Sequence, residues 1–172
     1  MKIGIISDTH DQIEKTRKAI SIFNREKVSL VYHLGDLCSP FMLSLFKELK
    51  CPVKVVFGNN DSDIFRIMRY KPESIEILGK FFIDFIEGKK IAVFHGDPYE
   101  IIDDLFSSKK YDILLVGHTH KAEIKKNEKT LFINPGTLCI SPDNYKNYNW
   151  TKPSIAILEI KENQSNAKII KI

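Results

Sequence analysis

The chain has 172 residues, 43% of them hydrophobic and 28% charged, with a formal net charge of +4. That length suits one domain with its own core, expected to span residues 1–172. Lysines and arginines are spread along the chain, so charge gives no footprint for a long nucleic-acid polymer, and runs such as Ile113–Val116 are too short to span a membrane.

From the N-terminus, Lys2–Ile6 reads as a strand, and polar residues follow too soon for the apolar core of a signal peptide. Asp11 with Glu14 three residues on resembles a capping box, and Ile13, Ile20 and Phe23 give the helix behind it an apolar face. Leu30–His33 is a second strand. Ser39-Pro40 opens a helix whose stripe is Met42, Leu45, Phe46 and Leu49. Residues 53–57 make a third strand, and 64–69 a short helix. Phe81–Ile86 and 90–94 flank Glu87-Gly88-Lys89 as a hairpin. Asp97-Pro98 and Glu100 start another helix, Ile113–Val116 is a buried strand, and two further hairpins pair 122–126 with 130–134 and 154–160 with 167–170. Residues 138–152 read as an exposed loop. Three cysteines (Cys38, Cys51, Cys139) without C-x-x-C spacing argue against a disulfide framework and fit a reducing, cytoplasmic setting. Strand–helix alternation followed by hairpins predicts an α/β layered fold with a mixed sheet and a second sheet packed on it.

The residues that follow the strands share one chemistry. After the first come Asp8 and His10, after the second Gly35-Asp36, and after the third Gly58-Asn59-Asn60-Asp61. His95-Gly96-Asp97 and Gly117-His118-Thr119-His120 follow two later strands. If these strands run parallel in one sheet, their carboxyl ends form one rim, where open α/β sheets bind ligands. Two Asp, one Asn and four His offer oxygen and nitrogen donors without thiolate, a set suited to Mn, Fe, Zn, Ni or Co rather than Ca or Mg. Seven ligands overfill one tetrahedral ion but serve two if a carboxylate bridges. Two ions roughly 3.5–4 Å apart would polarise a phosphoryl group and generate a hydroxide nucleophile near neutral pH.

These segments, D-x-H (8–10), G-D (35–36), G-N-x-D (58–61), H-G (95–96) and G-H-T-H (117–120), resemble the calcineurin-like metallophosphoesterases, in particular their small single-domain prokaryotic phosphodiesterase branch. Asn134-Pro135-Gly136-Thr137 is similar to that branch's N-P-G-S. The resemblance covers nearly the whole chain. It implies a four-layer αββα sandwich of two mixed β-sheets flanked by helices. It also implies that Asp8, His10 and His120 hold a first metal, that Asn59, His95 and His118 hold a second, and that Asp36 bridges them. Asp36, Asn59 and His118 are then the catalytic residues, and the cofactor is a pair of divalent transition-metal ions such as Mn, Ni, Fe or Zn. The implied activity is hydrolysis of a small phosphodiester by a cytoplasmic enzyme, with no membrane partner and with a homo-oligomer left open. The alternatives are a protein-binding module like the retromer scaffold subunit of the same fold, or a phosphomonoesterase or nuclease.

The chain departs from its relatives at three places. Many have His-Gly-His where Asp97 follows Gly96 here; a helix cap is the favoured reading of Asp97, ahead of a substrate or metal contact. Larger relatives carry a proton-donating His where Asn60 stands, which predicts a preference for acidic leaving groups. The arginine that close relatives have after N-P-G-S is absent from Ser141-Pro142-Asp143. Among other candidates, His33 is expected to be a satisfied core histidine and Cys38 to have no role. Asp61 either orients a metal-binding histidine or caps the next helix. Tyr145, Tyr148 and Trp150 either stack a nucleoside base or pack on the protein.

Overall fold

The structure is a computed structural model that describes residues 1–139, 152–162 and 164–172. Along the chain run β1 (Lys2–Ile6), α1 (Ile13–Glu26), β2 (Leu30–His33), a series of 310 turns over Pro40–Glu48, β3 (Val53–Val55), α2 (Ile64–Tyr70) and β4 (Ile75–Ile77). Then come β5 (Phe81–Ile86), β6 (Lys89–Phe94), α3 (Ile101–Ser107), β7 (Ile113–Val116), β8 (Glu123–Lys126), β9 (Leu131–Asn134), β10 (Ser154–Lys161) and β11 (Gln164–Lys171). One sheet has the order β11-β10-β1-β2-β3-β4 and the other β5-β6-β7-β9-β8. Both are mixed: β1 to β4 run parallel with β10 antiparallel against β1, and β6, β7 and β9 run parallel between antiparallel β5 and β8.

Alternation along the strands sorts the apolar side chains into three layers of contact. Ile3, Ile5, Tyr32, Val93, Leu115 and Leu158 fill the space between the sheets. Ile6, Val31 and Val55 point the other way, onto Phe23 of α1, Phe46 of the 310 segment and Ile67 of α2. Ala92, Leu114 and Val116 cover the far face of the second sheet under Ile102 of α3. The expected αββα order is therefore present. Gly4 lets α1 approach β1: a Cβ there would lie 2.7 Å from the Phe23 ring.

Some local expectations differ. Strand β4 escapes the sequence reading because three residues give too little alternation to register. Asp11 does not cap α1. Its φ of 56° turns it away from the helix, and its carboxylate accepts instead from Ser39 N at 2.9 Å and Ser39 Oγ at 2.7 Å; the cap position is Gln12, without a side-chain bond. Nor does Asp97 cap α3. Tyr99 and Pro98 carbonyls take the N–H groups of Ile102 and Ile101, so the helix starts four residues beyond Asp97, after Glu100. Among the described residues, no helix is long and apolar enough to cross a membrane. The loop expected over 138–152 lies, apart from residues 138, 139 and 152, outside the described residues, as do Tyr145, Tyr148, Trp150 and Ser141-Pro142-Asp143.

Candidate metal centre

The rim expected of one parallel sheet is shared between two. β1, β2 and β3 bring Asp8, His10, Asp36 and Asn59 from the first sheet, and β6 and β7 bring His95, His118 and His120 from the second. The hairpin β5–β6 causes the division, because it pairs with itself and starts a new sheet rather than extending from β4. The stacked sheets still present these ends at the same edge.

Tight turns aim the side chains. Asp8, His10, Asp36, His118 and His120 have φ of 51°, 39°, 56°, 64° and 57°. Each left-handed non-glycine residue costs on the order of 1 kcal/mol and persists only where surrounding contacts hold it. Those contacts are present. Asp8 N donates to Gly35 O at 3.0 Å and His10 N to Asp36 O at 3.1 Å, which locks the first loop to the second. Asp8 O accepts from Thr137 Oγ1 at 2.8 Å, and Asn134 Nδ2 donates to Gly117 O at 2.8 Å, pinning the Gly117–His120 turn. Close approach sets the glycines: a Cβ on Gly58 would lie 2.2 Å from Asp36 Oδ1, and one on Gly117 2.0 Å from Ser7 Oγ.

Asp36 sits at the middle of the cluster, almost fully buried. Its Oδ2 faces His10 Nε2 at 3.6 Å and its Oδ1 faces His95 Nε2 at 3.5 Å. On the first side, ligand atoms of Asp8, His10, Asp36 and His120 all lie within 4.8 Å of one another. His120 Nε2 is 3.1 Å from Asp8 Oδ1 and 3.2 Å from His10 Nε2. On the other side, His95 Nε2 lies 3.0 Å from Asn59 Oδ1, and the His118 ring stands edge-on to the His95 ring with centroids 5.1 Å apart. The structure thus brings together all seven candidate ligands.

The electrostatics suit a cation. Asp8 is fully buried, and its Oδ1 accepts no hydrogen bond among the described residues. A buried acceptor without a donor is costly, and a cation among Asp8, His10, Asp36 and His120 would satisfy it. Nitrogen and oxygen donors at these positions fit a divalent transition metal. Burial works against ionisation of Asp36, but His95 and the Asn60 donors outweigh it and hold the carboxyl below the ordinary range. Burial lowers the His10 pKa, favouring the neutral ring that a metal needs. Burial also opposes charge on His95, yet Asp36 and Asp8 beside it leave its pKa raised.

The remaining candidates take other places. His33 is a buried, satisfied core histidine: its Nδ1 accepts from Gly35 N at 3.2 Å and its Nε2 meets Thr9 Oγ1 at 3.1 Å. Asp61 neither orients a histidine nor caps a helix. Its Oδ2 accepts from Asp36 N at 2.9 Å and Gly58 N at 2.8 Å, and its Oδ1 from Cys38 N at 2.8 Å. Asp63 is the α2 cap, accepting from Arg66 N. Three converging backbone donors outcompete a more distant helix end for Asp61. Asp97 is exposed and its side chain has no hydrogen bond among the described residues. Asn60 donates through N at 2.8 Å and Nδ2 at 2.7 Å to the two oxygens of Asp36, so it holds that carboxylate rather than a leaving group. Thr9, Asn134 and Thr137 support the centre without having been assigned individual roles; N-P-G-T was the signal for the last two.

Residues 1–163 match the calcineurin-like phosphoesterase superfamily domain. A phosphodiesterase of Methanocaldococcus jannaschii is 34% identical over 166 residues, covering 95% of this chain and 96% of that one. A solved structure of an archaeal phosphodiesterase superposes with a TM-score of 0.84 at 31% identity, covering 99% of this chain and 100% of the other. Vps29 of Entamoeba histolytica, solved in complex with zinc, shares the fold at a TM-score of 0.65 and 22% identity, covering 99% and 98%.

Proposed function

The chain belongs to the calcineurin-like phosphoesterase superfamily, and from that premise we propose that it hydrolyses small phosphodiesters with two divalent transition-metal ions. The observation that carries this reading is Asp36, with one carboxylate oxygen toward His10 and the other toward His95. Asp8, His10 and His120 would hold one ion, Asn59, His95 and His118 the other, and Asp36 both. When bound, the ions supply Lewis acidity toward the phosphoryl oxygens and acidify water for attack.

The chain's own groups provide the frame. Asp36 is ionised, and Asn60 fixes its orientation through two N–H donors. Asp8, Asp36, His95 and His120 are buried, whereas Asn59 is exposed, so the centre meets solvent on that side. Mn or Ni is the proposed test metal, and the small polar centre favours a small diester over a polymer. Three cysteines without C-x-x-C spacing fit the proposed cytoplasmic setting.

Hydrolysis of bis-p-nitrophenyl phosphate by metal-free protein, with and without Mn or Ni, tests the reading. Activity should require added metal, vanish with chelator, and fall at least about 100-fold in Asp36→Ala. Unchanged activity in that variant would remove the shared-carboxylate role.

A further inference from the structure

Cys38 lies beside the centre, and the functional reading assigns it nothing. Its Sγ is 3.4 Å from His10 Nδ1. His10 Nε2, at the other end of the ring, faces Asp8 Oδ1 at 3.8 Å, Asp36 Oδ2 at 3.6 Å and His120 Nε2 at 3.2 Å. The sulfur is held in place: Cys38 has a φ of 71°, and its N–H donates to Asp61 Oδ1 at 2.8 Å. The next residue, Ser39, is fixed by both oxygens of Asp11.

His95 offers a contrast. Its Nδ1 faces the Leu34 carbonyl at 2.7 Å. A carbonyl only accepts, so a neutral His95 must carry its proton on Nδ1 and present a lone pair at Nε2. A thiol can accept at sulfur or donate through S–H, so it can hold Nδ1 in either tautomer. We propose that Cys38 is a positioning residue for His10: it keeps the ring in one orientation through Nδ1, so that the proton can move between the two nitrogens without the ring turning. Nε2 meanwhile lies 3.2 Å from His120 Nε2. With the proton on Nδ1 donated to the Cys38 sulfur, the Nε2 lone pair would be free to hold a metal ion. The orientation of a histidine ligand is commonly set by such a partner, whose loss weakens metal binding roughly 10–100-fold.

The proposal rests on His10 being a metal ligand, and its test separates the two claims. Mn affinity is measured by titration calorimetry on full-length, metal-free wild type, Cys38→Ala and Cys38→Ser. In the same metal-free proteins, 15N-histidine spectra report the His10 tautomer, its signal being assigned by difference from His10→Gln. Cys38→Ala should bind Mn at least about tenfold more weakly and shift the His10 nitrogens. Cys38→Ser, whose hydroxyl also donates and accepts, should restore affinity to within about threefold of wild type. Equal affinity and unchanged His10 signals in Cys38→Ala would overturn the positioning role while leaving the metal reading intact. A wild type that binds no Mn would overturn both.

Discussion

The carboxylate of Asp61 accepts the backbone N–H of Asp36 at 2.9 Å, and the same oxygen takes that of Gly58 at 2.8 Å. Asp61 thereby ties the loop after β2 to the loop after β3. Removing it strands three N–H groups, since Cys38 N also depends on it. Asp61→Ala should lower stability by on the order of 3 kcal/mol, measured by urea unfolding. Activity should fall beyond what unfolding explains, because Asp36 loses its anchor.

Gly58→Ala makes a sharper test of site geometry. The added Cβ would lie 2.2 Å from Asp36 Oδ1 and 2.6 Å from Asp36 N. The carboxylate must move, so diester hydrolysis should drop at least about 100-fold while stability falls by only about 1–3 kcal/mol. Steady-state kinetics beside thermal melts will separate these effects. Near-normal turnover would mean that the position of Asp36 is not critical.

Asn60 gives a prediction about substrates. Its amide faces Asp36 and has no acidic proton to give a leaving group. Across a series of aryl phosphodiesters, the rate should therefore rise steeply as the leaving phenol becomes more acidic. A flat dependence would show that some other group protonates the departing oxygen.

Between the sheets, Asp84 of β5 accepts from Tyr32 Oη and from Lys54 Nζ, both at 2.5 Å. Burial disfavours its charge, but Lys54 and Tyr32 outweigh that and hold the carboxyl below its ordinary 3.8. Such a group stabilises the fold above its unfolded pKa, and that contribution is lost as pH falls through the folded one. The stability gap between wild type and Asp84→Asn should thus be constant above about pH 5 and close below about pH 4. Urea unfolding across pH 3–7 would check it; a gap that widens toward acid would reverse the sign.

The strand ends and their ligand candidates were legible because each strand is a compact apolar run and each ligand follows at once. Asp8, Asp36 and His95 need only that local pattern. Asp61 and Asp11 were misread because each has a local alternative, a nearby helix start, whereas their partners Cys38 and Ser39 are distant in sequence. The division into two sheets was half legible. Alternation predicted the β5–β6 hairpin, but which strand pairs outside it depends on packing rather than on neighbouring residues.

The first strand is central in its sheet, between β2 and β10. Ile3 pairs with Leu158, and the carbonyl of Asp8 receives Leu138 N and Thr137 Oγ1. The first strand and the turn after it are therefore secured in part by residues far along the chain. A nascent chain that ends before Asn134 already carries every proposed ligand but lacks the clamp on the opening turn. The opening turn therefore owes its final form to Thr137 and Leu138, and a chain cut short of them should lose the geometry of the candidate centre.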